Sequence, residues 1–257
     1  MSAGAALVLT YHSISAAPGP TSTPVETFRM QMATLAQAGY ASMAVQDFLD
    51  WRAGALDGAR RVLITFDDAF LDFCETAHPI LRGHGFSVVM FAPTGKLGTP
   101  EAWDGADVPA RPLMNWDQVI ALADDGVEFG AHGVNHADLT AVSPAERRAE
   151  IEQSGAELTK RLGRPTRSFA APYGHVNPAV LADLRGRYEV AFGTRFDRAR
   201  RDDDLFDVPR VDMHYFRDPA HWRSFLEGGN TYFQVRKLLR AVRETASGFR
   251  SKTAAHG

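Results

Sequence analysis

Seven short apolar runs, separated by helical and loop patterns, constrain this chain more than any other feature. They cover residues 6–12, 62–66, 86–91, 127–132, 168–171, 189–193 and 207–214. Runs of this length read as strands buried on both faces. Strands that alternate with helices argue for an α/β domain with a parallel sheet. The helices are marked at their ends. Thr23-Pro24-Val25-Glu26 reads as an N-cap, a first-turn proline and a capping-box glutamate. Phe28, Met32, Leu35 and Ala36 then give one apolar face, which Gly39 ends. Ser143-Pro144-Ala145-Glu146 opens a second boxed helix that Gly163 closes. Further helices are expected over 45–52, 70–82 (interrupted by Pro79), 115–125, 177–185, 218–226 and 232–246. Residues 92–112 read as a long loop, of the kind that often walls a site. With no repeats and no low-complexity linker, residues 1–246 are expected to form a single domain, and 247–257 a disordered tail.

Composition removes several classes of function. A net charge of -3 gives no electrostatic case for nucleic acid. No apolar run approaches the ~20 residues of a membrane span. The start of the chain lacks the charged and apolar regions of a signal peptide, so a cytoplasmic location is expected. Cys74 is the one cysteine, which excludes an intrachain disulfide. Nothing in the sequence sets the oligomeric state.

The chemistry-bearing residues fall at strand ends. Val62-Leu63-Ile64-Thr65-Phe66 runs into Asp67-Asp68, and two adjacent carboxylates repel unless a cation lies beside them. His132-Gly133-Val134-Asn135-His136 follows another strand, and imidazoles four apart can face one point if the segment turns helically. Two neutral imidazoles and one carboxylate make a set of metal ligands suited to zinc or iron. One Asp would then bind the cation while the other accepts a proton from water. Pro172-Tyr173-Gly174 fixes a turn after a third strand, which can aim a backbone N–H at an oxyanion. His214 ends a fourth. An open sheet gathers its site at one crevice, whereas a parallel barrel gathers it at the ends of many strands. Four contributing strands favour a closed ring.

Together, Thr65-Phe66-Asp67-Asp68, His132 to His136 and Pro172-Tyr173-Gly174 resemble the three leading motifs of the polysaccharide deacetylase family, the NodB homology domain. The resemblance covers about residues 5 to 216. It implies a deformed parallel (β/α)7 barrel and metal-dependent removal of acetyl groups, chiefly N-acetyl, from an acetylated carbohydrate. It implies Asp67 as base, and Asp68, His132 and His136 as ligands of a divalent metal: zinc first, with cobalt, nickel or iron as alternatives. The turn of Pro172 and Tyr173 would hold the oxyanion.

The chain departs from that pattern in four places. Ala69 stands where Gly is usual, and Gly133 where Ser or Thr is usual. Ala170 stands where many members place an Arg beside the base, which predicts a less depressed pKa for Asp67. The late catalytic His is not plain; His214, in Val211-Asp212-Met213-His214, is the candidate acid. Arg210 is either the replacement for the missing Arg or half of a surface pair with Asp202, Asp203 or Asp204. Tyr11-His12-Ser13-Ile14 resembles the opening of a branch linked to exopolysaccharide deacetylation. His12 would accordingly line the site or simply bond a loop. Trp103, Trp116 and Tyr215 are placed to stack on sugars, although packing is the commoner role. Two other functions use the same residues: deacylation of a non-sugar amide or imide, and a catalytically silent sugar-binding domain, suggested by the missing Arg.

Overall fold

The computed structural model describes residues 5–103 and 110–254. Seven parallel strands close on themselves: β1 (Ala5–Tyr11), β3 (Arg61–Asp67), β4 (Val89–Ala92), β5 (Glu128–Ala131), β6 (Ser168–Ala170), β7 (Val190–Phe196) and β9 (Val208–Asp212), the last pairing back onto β1. The expected barrel is the one that forms. Two short strands stand outside the ring. β2 (Ala41–Ser42) runs parallel to the start of β3, and β8 (Ala199–Arg200) antiparallel to the start of β1.

Period-two alternation assigns the two faces of each strand. Val8, Leu63, Val89, Phe91, Ala170, Phe192 and Val208 meet in one cluster drawn from six strands, so they fill the barrel interior. Their neighbours Leu7, Leu9, Ile64, Phe66, Met90, Phe169 and Ala191 face outward under the helices. Helix α2 (Val45–Ala53) plugs the end where the strands begin: Val45, Phe48 and Trp51 join the interior cluster, with Phe48 5.6 Å from Phe192 between ring centroids. Burying each such side chain contributes about 1.5–3 kcal/mol, an upper figure. The same inward positions turn polar toward the other end, through Thr65 and Arg210 to Asp67. The cavity opens at that end.

The outer helices are α1 (Val25–Gln37), α3 (His78–Gly83), α4 (Trp116–Asp124), α5 (Pro144–Leu162), α6 (Pro178–Arg185), α7 (Pro219–Leu226) and α8 (Thr231–Ala254). Asn115, Ser143, Asn177 and Asp218 cap α4, α5, α6 and α7 through their side chains. The capping box expected of Thr23 does not form. The N-cap of α1 is Pro24, because the backbone N–H of Thr23 is already given to Ser13 O at 2.9 Å. Pro79 has no N–H to continue a regular helix, and residues 73–77 form a wider π turn ahead of α3.

The strand expected over 86–91 begins only at Val89. β7 runs past 193 and bulges: Phe192 pairs with Val208 and Phe196 with Arg210, so four steps of β7 face two of β9. Helix α8 continues past the expected boundary at 246; residues 255–257 of the expected tail lie outside the described residues. No helix among the described residues is long and apolar enough to cross a membrane.

Candidate active site

The open end of the barrel holds a cavity of about 160 Å3 lined by His12, Asp67, Asp68, His132, His136 and Tyr173, with Thr21, Trp103, Ala171, Gly174 and Thr194 completing the wall. Asp67 is the last residue of β3, and His12 and His132 directly follow β1 and β5. Five described non-glycine residues adopt positive φ, and four of them are here: Asp68 (74°), Ala69 (61°), His136 (57°) and Tyr173 (59°). Left-handed backbone at such residues costs of order 1–3 kcal/mol each and persists only where the surroundings enforce it. Ala69, placed where the family pattern has Gly, takes this conformation all the same.

Asp68 Oδ1 lies 3.3 Å from His132 Nε2 and 3.2 Å from His136 Nε2, and all three residues are buried. One ligand atom from each falls within 4.8 Å of the others. The His132 Nδ1–H donates to Ala170 O at 2.8 Å, which leaves Nε2 to face the carboxylate. Asp68 Oδ1 accepts no hydrogen bond although it is buried. An orphaned carboxylate oxygen between two imidazole nitrogens is what a cation would satisfy, and the donor set suits a divalent transition ion. The electrostatics agree. Burial alone would raise the Asp68 pKa, but His132 and His136 hold it well below its ordinary value. Burial alone would lower that of His132, but Asp68 and Asp67 draw it up. Burial lowers the pKa of His136 in spite of Asp68, which keeps that ring neutral and able to act as a ligand.

Asp67 has its own cation. Arg210, 1 % exposed, gives Asp67 a bidentate pair, Nη1 to Oδ1 and Nη2 to Oδ2, each at 2.7 Å. Its Nε–H donates to Gly193 O at 2.8 Å, within the irregular stretch of β7 between Phe192 and Phe196. Nη1 also donates to Thr65 Oγ1 at 3.1 Å, and that hydroxyl donates to Leu9 O at 2.7 Å. Burial would raise the Asp67 pKa; Arg210, joined by His132 and His12, offsets it and holds the carboxyl below its ordinary value. The expectation of a less depressed Asp67 therefore fails, because β9 supplies the guanidinium absent from β6. The alternative of a surface pair fails with it: Asp203 pairs with Arg195 and Asp204 with Arg185.

His12 Nε2 stands 3.9 Å from Asp67 Oδ2 at the cavity wall. Asp72 holds the two residues that follow His12, accepting from Ser13 Oγ at 2.5 Å and Ile14 N at 2.8 Å. His214 does not line the cavity. β9 stops at Asp212, whose carboxylate accepts from His214 N at 2.9 Å and starts a 3-10 turn over 213–216. The His214 ring instead accepts at Nδ1 from Arg217 Nη2 at 2.8 Å. Burial lowers its pKa, and Arg217 and Arg236 add to this against Asp212. Pro172 is buried behind the wall, its Cγ near Gly133, while Tyr173 lines the mouth edge-on to His136 at 4.7 Å.

Two residues that sequence reasoning missed or set aside complete the site. Trp103 stacks on His136 at 4.1 Å and 20°. Glu150, buried on α5, takes the place of the hydroxyl expected at 133. It accepts from Val134 N at 2.7 Å, Asn135 N at 2.8 Å and Asn135 Nδ2 at 2.7 Å, and so clamps the loop between the two histidines. A Cβ at residue 133 would come within 2.8 Å of Glu150 Oε2, and φ there is +74°, so the clamp and the glycine require each other. A carboxylate on the apolar side of α5, four before Ser154 and one before Ile151, was the available signal. Glu150→Gln should lower metal affinity about 10–100-fold, the usual effect of losing an outer partner. Titration of the apo protein with zinc against a chelating dye measures it, and wild-type affinity would remove the clamp from the site.

The profile of the polysaccharide deacetylase family matches residues 56–187, just over half of the 257 residues. Bacillus subtilis YxkH, a protein named for polysaccharide deacetylases, is 24% identical over 206 residues, 79% of this chain and 70% of that protein. Among solved structures, IcaB from Ammonifex degensii is similar over 89% of this chain and 98% of its own, at 26% identity and a TM-score of 0.73. The Streptococcus pyogenes deacetylase PplD, solved in complex with acetate, is similar over 81% and 92%, at 24% identity and a TM-score of 0.71. His12 and Arg210 lie outside the matched residues.

Proposed function

The chain belongs to the polysaccharide deacetylase family, and on that premise we propose that it is a metal-dependent hydrolase that removes N-acetyl groups from a carbohydrate. The observation that carries the reading is the pairing of two different carboxylates at one barrel end: Asp68, orphaned between two imidazoles, and Asp67, kept charged by Arg210. Asp68, His132 and His136 would hold a divalent ion, zinc first and cobalt, nickel or iron as alternatives, whose chemistry is to polarise the acetyl carbonyl and acidify water. Asp67 takes the proton of the attacking water. Arg210 orients that carboxylate and keeps it ionised. His12, facing Asp67 across the cavity, is the imidazole placed to protonate the leaving amine, the role first expected of His214. The turn at Pro172 and Tyr173 supports the oxyanion.

The rest of the substrate has room beside this cavity. A depression of about 740 Å3 adjoins it, sharing Tyr173, Gly174 and Thr194 with its wall. That volume is in the ordinary range of a ligand site, so parts of a substrate beyond the acetyl group can lie there.

Acetate release from a panel of N-acetylated glycans, O-acetylated glycans and non-sugar amides tests the reading, run beside metal analysis of the purified protein. Release from N-acetylated glycans is expected. Turnover confined to amides would select the non-sugar deacylase, and glycan binding without turnover the silent domain. His132→Ala and His136→Ala should each lose the metal on dialysis, by more than the roughly 10–100-fold that removal of an outer partner costs. Full occupancy in both would sink the proposed ligand set.

A further inference from the structure

The two histidines of the site are held in different ways. The Nδ1–H of His132 donates to Ala170 O, the outer hydrogen bond that a metal-ligating imidazole ordinarily has. His136 Nδ1 is buried and has no hydrogen-bond partner among the described residues, and its backbone is left-handed, with φ at 57°. Glu150 clamps Val134 and Asn135 but not the ring that follows them. Two aromatic contacts hold that ring instead. The Trp103 indole lies over its face, with centroids 4.1 Å apart and planes 20° apart, and Tyr173 meets it edge-on at 4.7 Å and 70°. Tyr173 is 46 % exposed at the mouth, whereas Trp103 is partly buried in the cavity wall.

Trp103 is itself braced from outside the cavity. Two residues before it, Glu101 is 3 % exposed and forms a two-point pair with Arg111, 7 % exposed: Nε donates to Oε1, and Nη2 to Oε2 at 2.9 Å. Arg111 Nη1 also donates to Ser22 Oγ at 2.7 Å and Nη2 to Thr21 Oγ1 at 2.9 Å, and the guanidinium lies 4.2 Å from the Phe70 ring centroid. Glu101 N donates to Arg111 O at 2.9 Å, and bridges join Pro100 to Pro112 and Phe70 to Leu113. One buried ion pair thus ties the segment leading into Trp103 to Thr21 of the cavity wall and to the turn that follows Asp67 and Asp68. Such a pair adds little net stability over apolar packing, so what it contributes here is position. We propose that Trp103 is a positioning residue of the metal centre. Braced by Glu101 and Arg111, its indole keeps the His136 ring turned with Nε2 toward Asp68, in place of the hydrogen bond that His136 Nδ1 lacks. The inference rests on the metal reading of Asp68, His132 and His136.

Zinc titration of the full apo chain against a chelating dye tests it. Trp103→Ala should weaken zinc binding about 10-fold, the low end of what losing an outer partner costs. Trp103→Phe keeps an aromatic face over the imidazole and should recover most of that loss. Arg111→Lys keeps the buried charge but not the two-point geometry, and its zinc affinity should lie between those of wild type and Trp103→Ala. Excess zinc should restore kcat for acetate release in Trp103→Ala. Zinc bound equally by wild type and Trp103→Ala would overturn the proposal, and a raised KM for an acetylated oligosaccharide beside that equal affinity would make Trp103 a platform for sugar instead. An equal loss in Trp103→Phe and Trp103→Ala would also overturn it, since stacking would then not be what holds His136. The Trp103 variants decide the proposal whether or not Arg111→Lys folds. Wild-type protein that binds neither zinc, cobalt nor nickel would overturn the metal reading, and this inference with it.

Discussion

Asp67→Asn should lower acetate release at least ~10²-fold, the usual contribution of a positioned base, and leave the bound metal in place. The substitution is isosteric, so the cavity keeps its shape. The amide oxygen can still accept from one Nη–H of Arg210, but the amide nitrogen cannot accept from the other, and neither can take a proton from water. Asp68→Asn is the necessary companion. There the lost charge faces His132 and His136, so metal affinity should fall before chemistry is tested. Steady-state acetate release and metal content, measured on both variants, separate the roles. A metal-free Asp67→Asn beside a metal-loaded Asp68→Asn would reverse them.

Arg210→Met should be the more damaging to the fold. It leaves a buried carboxylate without its cation, a change that costs about 3–5 kcal/mol when one partner of a buried pair is removed. It also strips a donor from Gly193 O and from Thr65 Oγ1. The pH dependence has a definite sign. In the wild type Asp67 titrates below its ordinary value, so it stabilises the fold above the unfolded carboxyl pKa of ~3.9 and loses that contribution as pH falls through the lower folded value. Without Arg210, the desolvation that Arg210 now offsets should dominate and carry the Asp67 pKa above the unfolded value. The carboxyl then destabilises the fold as pH rises through it. The stability gap between the two proteins, read from urea midpoints, should be widest at neutral pH and narrow in acid. The acid limb of activity should move upward in Arg210→Met. Arg210→Lys keeps the charge but not the two-point geometry, and should fall between. A gap that does not change with pH would mean that Arg210 acts through packing alone.

Much of this was readable along the chain, for identifiable reasons. Strands that alternate with capped helices leave few architectures, and in a parallel barrel all strand ends converge, so Asp67, Asp68, His132 and His136 could be brought together without coordinates. Ser143 with Glu146 and Gly163 bounded α5 at both ends. Contacts across the barrel were less legible. Whether Arg210 points inward to Asp67 or outward to an acidic turn depends on the register of β9 against β7, and the bulge that sets it has no marker in the sequence. His214 falls outside the cavity wall, because a capping Asp212 ends β9 two residues before it. Glu150 lies 14 residues beyond His136, and no linear spacing connects a helix to the loop it clamps. Trp103 was seen as an aromatic in a loop; only the fold sets it on His136.

The Asp67–Arg210 pair also shows what a closed ring permits. Strand ends gathered around one centre give a charged partner several points of attachment, so a guanidinium carried by β9 reaches the carboxylate of β3 although the two strands do not pair with each other. Ala170, taken by itself, reads as the loss of a partner for the base; taken with Arg210, the buried carboxylate keeps its cation.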